Sequence, residues 1–104
     1  AMSDSFRELA SLDRVVHEPA RLMIVAMLYP LDSADFLFLL RETGLTKGNL
    51  SAHLSKLEEA GYLEIHKGFR GRIPQTTYSL TAEGREAYRS YRKRLKRAME
   101  SLPE

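Results

Sequence analysis

The sequence predicts one domain of the α+β class, mainly α-helical with a small β-hairpin, and three observations support this fold class. Several stretches carry apolar residues at three- and four-residue steps between a capping residue and a glycine or proline, as amphipathic helices do. Residues 63–80 instead alternate like two strands around a basic, glycine-containing turn. A chain of 104 residues is long enough for one hydrophobic core and too short for two, so we assign residues 1–104 to a single domain.

The first predicted helix covers about residues 4–16. Asp4 or Ser5 can cap its amino end, because a short polar side chain accepts a hydrogen bond from the first free backbone N–H groups. Its apolar residues recur at helical steps and are Phe6, Leu9, Leu12 and Val16. We therefore expect this helix to bury one face.

Two further helices are predicted before residue 45. Pro19 suits the first position of a helix, and the residues after it, ARLMIVAMLY, are apolar on most sides, which indicates a central helix that Pro30 ends. Ser33 can cap the next helix, ADFLFLLRET, and Gly44 can close it. The segment FLFLL has the composition of a strand, but the cap and the closing glycine favour a helix.

The fourth predicted helix is capped by Thr46, closed by Gly61 and buries a face made of Leu50, Leu54 and Leu57. Lys47 and Asn49 on its other side can donate to purine edges in a major groove. The candidate DNA-binding residues, none of them acidic, are Thr46, Lys47, Gly48, Asn49, Ser51, Ala52, His53, Ser55 and Lys56. The alternative is an ordinary solvated face and, for His53, a half-buried structural hydrogen bond in place of a phosphate contact.

The predicted hairpin directly follows that helix, and every charge between Lys67 and Arg72 is positive. We expect Gly68 and Gly71 to supply the positive φ values of its turn, with Pro74 on the far side of the loop. We expect the apolar strand residues on two sides, Leu63 and Ile65 on one, Tyr78 and Leu80 on the other. The candidate DNA contacts of the hairpin are Lys67, Arg70, Arg72 and Gln75.

A helix followed at once by a basic hairpin is the order of elements in a winged helix-turn-helix that binds duplex DNA. The helix then lies in the major groove, and the hairpin reaches the minor groove or its phosphates. If the hairpin is considered without the preceding helix, the alternative to DNA binding is that its charges only keep the exposed tip soluble. Phe69 at that tip either packs back on the strands or touches a partner.

The last predicted helix, about residues 82–102, begins after Thr81 and repeats apolar residues at steps of three and four. Such a heptad seam is typical of helices that pair, and it is longer than one small domain needs to bury. We therefore predict a homodimer whose interface contains Phe6, Leu9, Tyr88, Tyr91, Leu95, Ala98 and Leu102. The alternative is a long helix that folds back on its own domain.

Composition argues against several other classes of function. The chain has no cysteine, and its three histidines lack companion ligands at regular spacing, so we predict neither a metal nor a cofactor. No nucleophile and base occur together, so we predict no enzyme. Neither a membrane span nor a signal peptide is visible, which favours the cytoplasm. The net charge of +2 is a weak argument for nucleic acid.

Four motifs, EPARLMIVAML, LTKGNLSAHLSKLEEAGYLE, GFRGRIPQTTYSLT and TAEGREAY, resemble the compact winged-helix transcriptional regulators related to the MarR-like and ArsR-like classes. The resemblance covers roughly three quarters of the chain, from His17 to about Tyr91. It implies a homodimeric, sequence-specific DNA binder, usually a repressor, with the helix from Thr46 in the major groove and residues 68–74 as the wing. Arsenic-type sensors commonly carry cysteine ligands, which this chain lacks, and typical MarR-like proteins are longer at both ends.

The sequence thus predicts a transcriptional regulator that acts as a homodimer, as a repressor, on double-stranded DNA. The alternative is a winged helix that serves as a protein–protein interaction module without DNA binding. Cations on the predicted reading face argue against it, because docking faces tend to be apolar or acidic; they are Lys47, Lys56, Arg70 and Arg72. A small-molecule effector of unknown identity is a further candidate partner, since a sensor would differ only by a pocket.

Overall fold

The computed structural model describes residues 2–104, except for the side chains of residues 2, 3 and 5. In chain order the elements are α1 (Met2–Ala10), α2 (Pro19–Leu28), β1 (Ala34–Asp35), α3 (Phe36–Thr43), α4 (Lys47–Glu59), β2 (Leu63–Arg70), β3 (Ile73–Leu80) and α5 (Ala82–Ser101). The predicted α+β class is confirmed, with one short strand, β1, that the sequence did not predict.

α1 begins earlier and ends sooner than the sequence predicted. Because the helix starts at Met2, Asp4 lies inside its first turn, and the prediction that Asp4 or Ser5 caps the helix is wrong. The helix ends at Ala10, so the predicted end at residue 16 is wrong as well. The reason for the early end lies in the turn that follows.

That turn forms around the side chain of Asp13. Its Oδ1 atom accepts hydrogen bonds from the backbone N–H groups of Val15 and Val16 at 2.8 and 3.1 Å, and such local bonds compete with helical ones. Leu12 and Val16 are still buried, as their spacing predicted, because the turn packs them against Tyr91 of α5.

α2 is the central helix of the fold, as predicted. Pro19 is its first residue, and Tyr29 caps its carboxyl end directly before Pro30. The main hydrophobic core surrounds α2 with apolar side chains from α3, α4 and all three strands. Its buried members are Ile24, Val25, Leu28, Ala34, Leu39, Leu50, Leu54, Leu57, Leu63, Tyr78 and Leu80. This core fixes the position of α4 relative to the sheet.

α3 is helical as predicted, but its cap is Asp35, and the prediction of Ser33 is wrong. The Oδ1 atom of Asp35 accepts a hydrogen bond from the Phe38 N–H group at 2.8 Å. Ala34 and Asp35 pair with β3 as strand β1, and this pairing keeps the backbone extended past Ser33. Gly44 closes the helix with a φ of 70°, as predicted.

The sheet has the strand order β1, β3, β2, and both pairings are antiparallel. Leu63 pairs with Leu80, and Ile65 pairs with Tyr78. Partners directly opposite each other lie on the same face of a sheet, so the prediction that they lie on two sides is wrong. All four face the core, Ile65 less deeply than the others.

The hairpin turn is tighter than predicted. β2 ends at Arg70 and β3 begins at Ile73, which leaves Gly71 and Arg72 as the turn. Gly71 has a φ of 64°, as predicted. Gly68 lies inside β2 and does not have a positive φ, so that part of the prediction is wrong.

α5 begins after its cap Thr81, as predicted, and α1 packs along it. The Thr81 Oγ1 atom accepts a hydrogen bond from the Gly84 N–H group at 3.0 Å. Tyr91 and Ala98 are only 4% and 2% exposed, and Tyr91 packs with Leu12 in a second apolar cluster. This part of α5 therefore folds back on its own chain, which was the alternative to a dimer seam.

Candidate nucleic-acid interface

α4 turns one side to the core and the rest to solvent. Leu50, Leu54 and Leu57 are at most 2% exposed. Thr46 caps the helix as predicted, because its Oγ1 atom accepts a hydrogen bond from the Asn49 N–H group at 3.1 Å. The remaining candidates are exposed and form the α4 face: Lys47, Gly48, Asn49, Ser51, Ala52, Ser55 and Lys56. With two positive charges and no negative charge, this face suits contact with phosphates and base edges.

His53 does not belong to the α4 face, because it joins α4 to the start of α2. Its Nδ1 atom lies 3.2 Å from Nη1 of Arg21 and 3.6 Å from Oε2 of Glu18. The His53 side chain is 24% exposed. Of the two roles that the sequence left open for His53, the structure shows the half-buried structural contact.

Glu18 and Arg21 complete this junction, and sequence reasoning missed both. The Glu18 Oε2 atom accepts the Arg21 backbone N–H at 2.8 Å and so caps α2, while Arg21 Nε donates to the Val15 carbonyl at 2.7 Å. Burial raises the pKa of the Glu18 carboxyl, but backbone N–H groups at the start of α2 and nearby positive charges lower it more, so that it lies below 4.5. The signal in the sequence was the acid directly before Pro19, at the position where a helix is capped.

The wing, which we define as residues 67–75, extends from the sheet with its cations exposed. Lys67, Arg70 and Arg72 make no side-chain hydrogen bond or ion pair with any other residue in the described part of the chain. Gly71 and Arg72 form the turn itself, which places an arginine at the extreme tip. These three charges are therefore available to an anionic partner.

Gln75 lies at the base of the wing and is used inside the chain. Its Nε2 atom donates to Oδ2 of Asp35 at 3.2 Å, while Oδ1 of the same carboxylate caps α3. One side chain thus ties the wing to the helix that precedes α4. The structure gives Gln75 this structural role, and the DNA contact predicted for it stays a prediction.

Two large apolar side chains also lie at the wing tip. Phe69 is 74% exposed and Ile73 is 70% exposed. Phe69 pairs with Pro74. Pro74 belongs to β3, whereas the sequence had placed it in the loop. Of the two roles open to Phe69, the structure excludes burial against the strands.

α5 carries the second basic run of the chain, and several of its cations are paired internally. Arg94 Nε donates to Oε1 of Glu8 at 2.7 Å, and its Nη2 donates to Oγ of Ser11 at 2.6 Å, which joins α5 to the end of α1. The hydrogen bond from Arg94 lowers the pKa of the Glu8 carboxyl. Arg89 and Glu86 form an ion pair at 2.8 Å.

An open groove of about 710 Å³ lies between the end of α2 and the second half of α5. Its apolar lining comes from Tyr29, Tyr88, Leu95 and Met99. Its basic lining comes from Arg89, Arg92, Lys93 and Lys96. The groove is therefore amphipathic, with hydrophobic and positively charged walls.

The residues predicted for a dimer interface divide into two groups. Tyr91 and Ala98 are buried within the chain, while Leu9 and Leu95 pack at the edge of the cluster that contains Tyr91, and Tyr88 packs at the edge of the main core. The residues other than Tyr91 and Ala98 retain some exposed surface, and they are Phe6, Leu9, Tyr88, Leu95 and Leu102. Met99, which the heptad pattern did not include, is 58% exposed beside them.

The histidines serve separate parts of the fold. His17 Nδ1 lies 2.7 Å from the Tyr91 hydroxyl, far from the junction at His53. Within residues 2–104, no group of three or more histidine, aspartate or glutamate side chains is arranged to hold a metal ion. In the same residues, every helix is too short or too polar to span a bilayer.

Comparison with known proteins gives a consistent result. A family model for a winged helix DNA-binding domain matches residues 20–99, which include the whole α4 face and wing. An uncharacterised protein of Methanocaldococcus jannaschii is 38% identical over 79 residues, which are 75% of this chain and 85% of that protein. The structure of a transcriptional regulator homologue from Pyrococcus horikoshii matches with a TM-score of 0.84 and 28% identity, over 93% of this chain and 95% of that one.

A second solved structure, the transcriptional repressor BigR from Xylella fastidiosa, matches with a TM-score of 0.66 and 26% identity. The match covers 88% of this chain and 87% of that one. These similarities confirm the fold class predicted from the helix, hairpin and capping patterns.

Proposed function

We propose that this chain, which belongs to the winged helix DNA-binding domain family, is a transcriptional regulator that binds specific duplex DNA sequences as a homodimer and acts as a repressor. The observation that carries the proposal is the pairing of the α4 face with the wing. Both surfaces are exposed, neither contains an acidic residue, and the wing cations have no internal partner in the described residues. Such a surface matches the charge and the hydrogen-bonding groups of a DNA groove.

The two surfaces have different tasks in this proposal. Asn49 and Lys47 lie in the first turn of α4, where the positive end of the helix dipole also favours a nearby phosphate. An asparagine can bond two atoms of adenine, and a lysine can donate to guanine, so these side chains would carry sequence preference. Arg70 and Arg72 would supply affinity that depends little on sequence.

The homodimer is supported by the surface that α5 leaves uncovered. The molecule is elongated, with extents of 58 × 26 × 21 Å, and the amphipathic groove lies along the second half of α5. Tyr88, Leu95 and Met99 offer a second copy an apolar contact there. Two copies would place two α4 helices in half-sites about 34 Å apart, one turn of B-DNA.

We also assign the groove as the site of a small-molecule effector. A volume of about 710 Å³ lies within the usual range for ligand sites. Its basic walls would favour an anionic ligand with an apolar part. We place this regulator in the cytoplasm, with its DNA.

The alternative function, a protein-interaction module without DNA binding, has one observation in its favour. Phe69 and Ile73 expose large apolar surface at the wing tip, and such surface often marks a protein contact. The unpaired cations around them and the neutral to positive α4 face favour DNA.

The first test is fluorescence polarisation with the duplex upstream of the protein's own gene and with a scrambled duplex, each across a salt series. We expect the first duplex to bind roughly a thousandfold more tightly. The slope of affinity against salt should correspond to several phosphate contacts. Absence of binding to both duplexes at low salt would overturn the proposal and favour the protein module.

Two variants test the division of tasks between the surfaces. Asn49→Ala should lose preference for the cognate duplex by about tenfold or more while its binding to scrambled DNA changes little. Arg72→Ala should weaken binding to both duplexes and reduce the salt slope by about one. Equal losses on both duplexes from both variants would contradict the division.

Analytical ultracentrifugation tests the dimer. Met99→Glu places a carboxylate at the edge of the groove and should convert a dimer into a folded monomer that binds DNA more weakly. Leu37→Glu is the matched control, because Leu37 is 63% exposed on α3 and lies outside the groove. A wild-type protein that is monomeric at micromolar concentration would contradict the proposal of a dimer.

A further inference from the structure

The wing tip carries two large apolar side chains that are exposed. Phe69 and Ile73, at 74% and 70%, are the two most exposed large hydrophobic side chains in the described residues. Single apolar residues on a surface are common and need no explanation. Two of them beside one two-residue turn, with no contact that buries either, form an exposed apolar tip that is suited to contact with a partner.

The two side chains lie on opposite faces of the hairpin. Phe69 follows Ile65 at a spacing of four along β2, so both point to the face that carries the core. Ile73 pairs with Arg70 and therefore lies on the other face. The tip thus presents an apolar group on each side, with the positive charge of Arg72 at its end.

We propose that Phe69 and Ile73 enter the minor groove of bound DNA as an apolar wedge, and that the wedge favours a flexible pyrimidine–purine step at its site. This inference rests on the proposed function and adds to it a way of selecting sequence by deformability. Apolar side chains that enter a minor groove partly unstack a base step and bend the duplex, and such steps as TpA cost least to unstack.

Charge favours DNA as the partner of the wing tip. The minor groove has apolar sugar walls between two rows of phosphates, and the wing tip has apolar side chains beside Lys67, Arg70 and Arg72. These cations have no internal partner in the described residues, so a neutral or basic protein surface would leave their charge uncompensated. A groove about 6 Å wide admits side chains at the end of a hairpin.

A tryptophan at the wing tip tests the contact directly. The chain contains no tryptophan, so Phe69→Trp introduces a single fluorophore at the tip. We expect its emission to be quenched when the cognate duplex is added, because indole stacks on bases, and we expect protection from iodide. Leu37→Trp is the matched control on another exposed apolar site and should show neither effect.

Alanine at the same position tests selection by deformability. Phe69→Ala should bind roughly tenfold more weakly to a duplex with TpA at the wing site, with an unchanged salt slope, because no phosphate contact is lost. The loss should be less than about twofold when an A-tract replaces that step, since wild type gains little from a stiff site. Energy transfer between dyes at the duplex ends should also show less bending.

The outcomes separate this inference from the proposed function. If wild type binds cognate DNA but Phe69→Trp keeps full emission and iodide access, the wedge is wrong and the regulator stands. If wild type binds no duplex, both are wrong. If Phe69→Ala reduces the size of a protein assembly in ultracentrifugation and leaves DNA affinity unchanged, the wing tip is a protein contact and the wedge is wrong.

Discussion

The wing and the second half of α5 are both basic runs in the sequence, but their cations differ in whether they have partners within the chain. Lys67, Arg70 and Arg72 of the wing have no internal partner in the described residues. Five of the α5 cations have one: Arg85 donates to the Tyr29 and Leu31 carbonyls, Arg89 pairs with Glu86, Arg92 lies over the Tyr88 ring, Arg94 pairs with Glu8 and Lys96 with Glu100. A basic run therefore indicates a binding surface only after its internal partners have been counted.

The two regions also differ in how closely they pack. Gly48, at the start of α4, has nothing within 4 Å of where a Cβ atom would lie. Gly84, at the start of α5, has the Tyr62 carbonyl oxygen 2.2 Å from that position. The start of α4 is open to a partner, whereas the start of α5 is pressed against the backbone beside β2. Four predictions test this contrast, and we give them in order of expected size.

The largest effect is expected from removing charge in each region. The double variant Arg70→Ala and Arg72→Ala should bind duplex DNA roughly a hundredfold more weakly, about tenfold for each contact, with a salt slope lower by about two. The matched double variant Arg89→Ala and Lys96→Ala, whose charges already pair with Glu86 and Glu100, should lose less than about threefold. Polarisation titrations in a salt series measure both, and equal losses would remove the contrast between wing and α5.

The second prediction compares the two glycines by urea unfolding. Gly84→Ala should lower the free energy of unfolding by about 2–3 kcal/mol, because the new methyl group meets the Tyr62 backbone, which cannot move alone. Gly48→Ala should raise it by about 0.5–1 kcal/mol, because alanine restricts the unfolded chain and meets nothing in the helix. If Gly84→Ala were as stable as wild type, the close packing at the start of α5 would not contribute to the free energy of unfolding.

The third prediction concerns the hydrogen bond that Tyr62 donates to Asp13, which joins the end of α4 to the turn after α1. Tyr62→Phe should lower the free energy of unfolding by about 1–2 kcal/mol, because one Asp13 oxygen loses its donor. The bond to Asp13 and burial raise the pKa of Tyr62 to about 12.

Since the folded pKa of Tyr62 lies above its usual 10.0, this contribution is fully present below pH 10 and is lost as the pH rises through 12. Urea unfolding at pH 7 and above pH 10 measures it. The difference between wild type and Tyr62→Phe should shrink at the higher pH. If the difference in the free energy of unfolding did not change with pH, the Tyr62 hydroxyl proton would not stabilise the contact between the end of α4 and the turn after α1.

The smallest effect is expected for the pair of Glu8 and Arg94. The folded pKa of the Glu8 carboxyl is lowered from 4.5 by the hydrogen bond from Arg94, so the stabilisation is present above pH 4.5 and is lost as the pH falls through the folded pKa. Glu8→Gln should therefore melt slightly below wild type at pH 7, and the difference should shrink as the pH falls below 4.5. Its DNA affinity at pH 7 should equal that of wild type, and a clear loss would give α1 a part in binding.

Features set by local residues could be predicted from the sequence. Thr46, Thr81 and Gly44 were assigned correctly, because a cap depends on a side chain and the backbone a few residues away. The buried leucines of α4 followed from their spacing alone. The exposure of the α4 face followed from the same spacing, and its contact with DNA stays a prediction.

Features that depend on distant partners could not be predicted in this way. Ser33 and Asp35 are both reasonable caps, and only the pairing of β1 with β3, more than forty residues away, decides between them. The contact of His53 with Arg21 needs two helices to cross. The partner of the apolar seam of α5 could not be predicted either. The spacing indicated a buried face, and the structure shows that α1 covers part of it.

The bond between Gln75 and Asp35 has a consequence for the operator. Because one carboxylate accepts hydrogen bonds from both the base of the wing and the start of α3, it couples the position of the hairpin to that of α3. A shift of one base pair moves a contact by about 3.4 Å along the duplex and rotates it around the axis. The distance along the DNA between the bases that α4 contacts and the base step that the wing enters should therefore be constant. If one base pair were inserted between them, either the α4 contacts or the wing contact would be lost.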